Sequence, residues 1–132
     1  MKQRITAEQL SELTTEQKEK LRELWVRDEG DYGVTEGIEF IVTGEREDED
    51  TGFIFLIGKK PFYQGEIWFN CEKCLPLLSI GQMVELLGDR IIHINNMFID
   101  GGWEANVLHG NKSYRAKELC DAFWITTIKE VL

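Results

Sequence analysis

Two apolar runs around a charged tip do most to limit what this chain can become. IEFIVTG (residues 38–44) and TGFIFLIG (residues 51–58) are rich in β-branched and aromatic side chains, and between them lies EREDED, Glu45 to Asp50. Such runs favour extended backbone, and a polar tip between them predicts an antiparallel hairpin with a long acidic turn. A third run, GEIWFN (Gly65 to Asn70), alternates Ile67 and Phe69 against Trp68. Lys60-Pro61 closes the strand before it, so a three-stranded meander is expected. Residues 90–108, RIIHINNMFIDGGWEANVL, predict a second hairpin. Asp100-Gly101 supports its turn, and Trp103, Ala105 and Val107 share one face of its second strand.

Helices are expected around these strands. Thr6 with Gln9, Thr14 with Gln17 and Ser79 with Gln82 match the capping-box spacing, in which a hydroxyl and an amide satisfy each other's exposed N–H groups. Two short helices are predicted before residue 27, the second from about Thr15 to Trp25. Ile5 and Leu10 flank the first box as a hydrophobic staple. A two-turn helix is predicted over Ile80 to Leu87, with Ile80, Met83, Val84 and Leu87 buried, Leu78 and Met83 as its staple, and Gly88 as its left-handed stop. The longest helix is predicted over Tyr114 to Val131, with Ala116, Leu119, Cys120, Phe123, Ile128 and Val131 at helical spacing and Trp124 beside them. RDEGDYGVTEG (Arg27 to Gly37) is acidic, has three glycines and no period, and reads as loop. The fold class is α+β, in one domain spanning residues 1–132: an N-terminal helical hairpin, antiparallel strands in two groups, a short central helix and a long C-terminal helix.

The chain carries 15 basic and 24 acidic residues, a net charge of −9. That field disfavours nucleic acid and anionic membranes as direct partners and favours cationic ones, including basic nucleic-acid-binding grooves. Three cysteines, Cys71, Cys74 and Cys120, argue against a disulfide framework. The polar start lacks a signal-peptide core, and the apolar run Phe53 to Ile57 is too short to span a bilayer. A cytoplasmic protein is expected.

The chemistry-bearing candidates are few. Cys71-x-x-Cys74 is half of a zinc site, and Cys71 and Cys74 are the candidate metal ligands; His93, His109 or Cys120 would have to complete the set. No other cofactor is implied. EREDED offers Glu45, Glu47, Asp48, Glu49 and Asp50 as a partner-binding strip of negative charge, against the reading that a like-charged loop is merely solvated. The rings of Trp25, Trp68, Trp103, Trp124, Tyr32, Tyr63 and Tyr114 either build the core or stack a nucleobase, and the core reading is preferred. His93 reads as a packed strand residue. No GxGxxG, P-loop, HExxH or GxSxG occurs, and the chain reads as non-enzymatic.

Three stretches together resemble a family of small uncharacterised proteins of phages and prophages of Gram-positive bacteria: ITAEQLSELTTEQKEKLRELW (5–25), LPLLSIGQMVELLGD (75–89) and KELCDAFW (117–124). The family has no established activity to transfer to a residue, and the Cys-x-x-Cys is not part of the shared pattern. The resemblance implies a mobile-element setting. There, small acidic proteins often inhibit host defence, anti-CRISPR proteins included. The implied partner is a host protein with a basic nucleic-acid-binding groove. The alternatives are an aromatic-pocket nucleotide-signal sponge and a small metal-binding accessory or regulatory protein.

Overall fold

Capping chemistry starts two helices where the sequence places them. In the computed structural model, which describes residues 1–61, 64–97, 101–108, 110 and 112–132 (Ile92 by its backbone only), the Thr14 hydroxyl accepts from the Gln17 N–H at 3.1 Å. The Gln17 side chain accepts from the Thr14 N–H at 3.0 Å. Helix α2 (Thr15–Leu24) follows the short α1 (Ala7–Ser11). Ser79 and Gln82 make the same reciprocal pair at 3.1 and 2.9 Å and open α3 (Ile80–Leu87). Gly88 ends α3 with φ +54°, a backbone region that glycine enters without penalty.

The chain divides into two compact units, Ala7–Leu77 and Met1–Thr6 with Leu78–Leu132. The first holds a five-stranded antiparallel sheet ordered β4-β3-β2-β1-β5, from β1 (Tyr32–Thr35), β2 (Ile38–Glu47), β3 (Ile54–Lys59), β4 (Ile67–Asn70) and β5 (Leu75–Pro76). The expected meander is its β2-β3-β4 part. The Arg27–Gly37 segment, expected to be loop, instead supplies β1. Glu36 and Gly37 both take positive φ, +49° and +79°, in a two-residue connection between Thr35 and Ile38. Positive φ at both central positions is the geometry of a tight hairpin turn, and Glu is a rare occupant of it.

One face of this sheet is closed by Trp25, Phe40, Val42, Leu56, Phe69, Cys71 and Cys74. The Phe40 and Phe69 rings stack at 4.2 Å and 13°. Phe40 can lie flat because glycine flanks it on both neighbouring strands. A Cβ on Gly33 or on Gly58 would stand 2.7 Å from a Phe40 ring carbon. Trp25 donates its indole N–H to Asp31 at 2.9 Å, so its one polar group is satisfied at the edge of the core.

The second unit has a three-stranded sheet ordered β6-β7-β8, from β6 (Ile91–Met97), β7 (Gly102–Val107) and β8 (Ser113–Ala116), with α3 packed on α4 (Leu119–Glu130) and α4 on β7 and β8. Its N-terminal arm lies along residues 78–80, with the Ile5 N–H donating to Leu78 and the Ile80 N–H to Gln3, both at 3.0 Å. Ala105 and Val107 are buried, and Trp103 is half-buried. Asp100 of the proposed turn lies outside the described residues, as do Tyr63 and His109.

Three expectations here are corrected. The last helix starts at Leu119, because Ser113–Ala116 pairs with Trp103–Asn106 as a strand; non-local pairing overrides the helical spacing of Ala116. Val84 is 45% exposed, so the buried residues of α3 narrow to Met83 and Leu87. His93 is exposed, because the irregularity between Ile91 and His93 breaks the alternation assumed for it. Buried Thr126 and Thr127 were not anticipated. Their hydroxyls donate to the carbonyls of Ala122 and Phe123 at 2.7 and 2.8 Å, which satisfies them inside the helix.

Candidate functional site

The acidic run is half strand and half turn. Glu45, Arg46 and Glu47 belong to β2 and pair with Leu56, Phe55 and Ile54 of β3, which corrects the long acidic turn. Strand alternation then sends Glu45 and Glu47 to one face and Arg46 to the other. The turn itself is built around Asp48. Its backbone N–H donates to the Phe53 carbonyl, and its own carbonyl accepts from Gly52, both at 2.8 Å. Its carboxylate accepts from the Asp50 N–H and the Thr51 hydroxyl, each at 3.0 Å. A short acidic side chain capping its own turn is the usual reason for Asp at such a position.

The five proposed partner-binding carboxylates therefore have different duties. Glu45 pairs with Arg27 at 2.8 Å, and Asp48 is engaged in the turn. Among the described residues no hydrogen bond or ion pair engages the carboxylates of Glu47, Glu49 or Asp50. Those three form the part of the run that is available to a partner. They lie at a hairpin end whose turn Asp48 ties together by hydrogen bonds to residues 50–53.

A feature that the core reading of the rings missed adjoins them. Trp68 is 50% exposed on the sheet face opposite the core, beside Ile57 in register. The Phe55 ring lies 6.2 Å from it at 42°, and the Arg46 guanidinium sits 5.5 Å from the Trp68 ring centroid. Residues 46–50, Phe55 and Trp68 wall an open hollow of about 600 Å³. Phe53, at the foot of the turn, is 47% exposed. The signal was present in the sequence: Trp68 alternates with two core residues, Ile67 and Phe69, and so faces away from them.

The Cys-x-x-Cys is interior. Cys71 opens a single helical turn capped by Asn70, and Cys74 follows that turn. Both thiols are free and buried. The Cys74 thiol lies 3.2 Å from the Asn70 carbonyl, to which it donates. Burial pushes Cys71 up and, with Cys71 beside it, pushes Cys74 up to about 11. The thiolate is the form that binds a metal or attacks as a nucleophile, and burial disfavours it here. No group of three or more His, Cys, Asp or Glu suited to a metal occurs among the described residues.

In the other unit, Trp103, Arg115 and Lys117 help line a smaller hollow of about 230 Å³. Arg115 donates to Glu104 at 2.5 Å and holds that carboxyl below its ordinary range. Among the described residues no helix is long and apolar enough to cross a membrane. Comparison with known proteins places the chain beside none of them: no family model matches it, no curated protein matches it, and no solved structure matches it.

Proposed function

We propose that this is a non-enzymatic binding protein that grips a positively charged macromolecule with the end of its β2-β3 hairpin. In the phage setting implied by the three helical stretches, the target is a host nucleic-acid-targeting defence complex, engaged in the bacterial cytoplasm at its basic groove. The observation that carries this reading is the set of carboxylates Glu47, Glu49 and Asp50, unengaged among the described residues, at a turn that Asp48 hydrogen-bonds together. A chain of net charge −9 is steered toward such a groove, and close charge pairs there set the association rate and its salt dependence.

The test is a tagged pull-down from the host with the wild-type chain and with E47K/E49K/D50K, which leaves the turn-building Asp48 intact. The expected result is a basic nucleic-acid-binding protein that the wild type retains at low salt, that salt or added nucleic acid releases, and that the variant loses. Identical capture by both chains overturns the reading. The nucleotide-sponge alternative finds support in Trp103 standing with Arg115 and Lys117 around one hollow. A small anion copurifying with the protein in native mass spectrometry, and lost in Trp103→Ala, would favour it instead.

A further inference from the structure

Charge alone does not account for the face beside the hairpin end. Trp68 leaves half of its surface in water, and tryptophan is among the residues most enriched at binding hot spots. Trp68 is also in use already. Arg46 of the same chain places its guanidinium over the ring at 5.5 Å, a cation–π geometry, while Phe55 supports the ring from β3. The same hollow is bordered by the turn residues Glu49 and Asp50, whose carboxylates give a cation approaching the ring a favourable potential, and by β2 at Glu47. Aromatic platform and acidic rim together select a basic side chain. Planar guanidinium stacks on an indole better than ammonium does.

We propose that Trp68 is the anchor of the interaction surface: an arginine from a basic segment of a partner protein stacks on its ring and takes the place that Arg46 occupies in the free chain. This rests on the hairpin-end reading above and adds the residue and the partner side chain that give it specificity. Arg46 is a placeholder. It shields the ring while no partner is bound, and its positive charge opposes the incoming arginine. Two consequences have opposite sign. Removing the ring weakens binding, and removing the placeholder strengthens it.

The experiment titrates the full chain at low salt with an alternating arginine–glycine octapeptide and with its lysine–glycine counterpart, by calorimetry. The wild type is expected to prefer the arginine peptide by up to about fivefold, the full worth of an exposed cation–π contact setting the ceiling because ammonium makes a weaker one. Trp68→Leu should erase that preference, with the lysine peptide little changed. Arg46→Gln should bind the arginine peptide more tightly than the wild type, and more tightly than Lys20→Gln, a same-charge control on the exposed side of α2. The neutral variant E47Q/E49Q/D50Q should weaken both peptides equally. If Trp68→Leu keeps the preference, or Arg46→Gln gains no more than Lys20→Gln, the anchor is wrong while the acidic surface stands. If the neutral triple variant binds like the wild type, the acidic surface itself is wrong. If neither peptide binds the wild type, both fall. A far-ultraviolet spectrum of each variant checks folding, and the Arg46→Gln arm decides even if Trp68→Leu is unstable.

Discussion

The two faces of the five-stranded sheet are built from the same kinds of side chain and come to opposite ends. On one face Phe40 lies between Gly33 and Gly58 and stacks on Phe69, in a cluster with Trp25 and the two cysteines. On the other, Phe55 and Trp68 meet at a looser angle, with a guanidinium over the indole and carboxylates at the rim. Neighbouring residues of one strand serve both: Trp68 points one way, Phe69 the other. What separates a core ring from a recognition ring is the company across the strands. Glycines let one face close to van der Waals contact, and charged neighbours keep the other wet.

The contrast predicts a descending series of effects. Phe40→Ala removes the centre of the closed face and should cost about 3 to 5 kcal/mol in urea unfolding; a loss below about 1 kcal/mol would mean the ring is not the keystone of that face. Gly58→Ala drives a Cβ against that ring and against the Ile41 carbonyl, 3.2 Å away, and should cost about 1 to 3 kcal/mol. A combined Gly58→Ala/Phe40→Leu variant should recover part of the Gly58→Ala loss, because the clash belongs to the pair.

Cys74 links the closed face to pH. Its thiol is held protonated in the folded chain up to about 11, while in the unfolded chain it ionises near the ordinary value of about 8.5. Above the lower value the unfolded state binds fewer protons than the native state, so stability falls as pH rises and levels off past the upper one. Denaturant midpoints across that window should decline in the wild type and decline less in Cys74→Ala. The smallest effect belongs to the open face: Trp68→Ala should change stability by about 1 kcal/mol or less, while removing the arginine preference. A larger stability loss would make Trp68 a structural ring and erase the contrast between the faces.

Much of this fold could be read along the chain. The boxes at Thr14 and Ser79 and the Gly88 stop depend on residues a few positions apart, the β2-β3-β4 meander shows itself in the alternation along each run, and they stand where the pattern puts them. The site was legible only in outline. EREDED was visible as a charge run, but its division into a neutralised Glu45, a turn-building Asp48 and three available carboxylates required Arg27 and Thr51 to be placed in space. β1 was hidden by Glu36 taking a glycine-like conformation. β8 was hidden by side chains whose spacing suits a helix equally well.

By itself, then, the sequence determined the class of fold, the starts of its helices, the alternation of its strands and the sign of its field. These are local or summed properties, and each follows from side chains acting on their own stretch of backbone. Tertiary structure alone decided that Tyr32–Thr35 and Ser113–Ala116 complete two sheets, that the Cys-x-x-Cys is interior, and that Trp68 is left in the open under Arg46. Each of those outcomes depends on partners distant in the chain, and such contacts form only when the gain from burial and pairing exceeds the entropy lost in bringing the segments together.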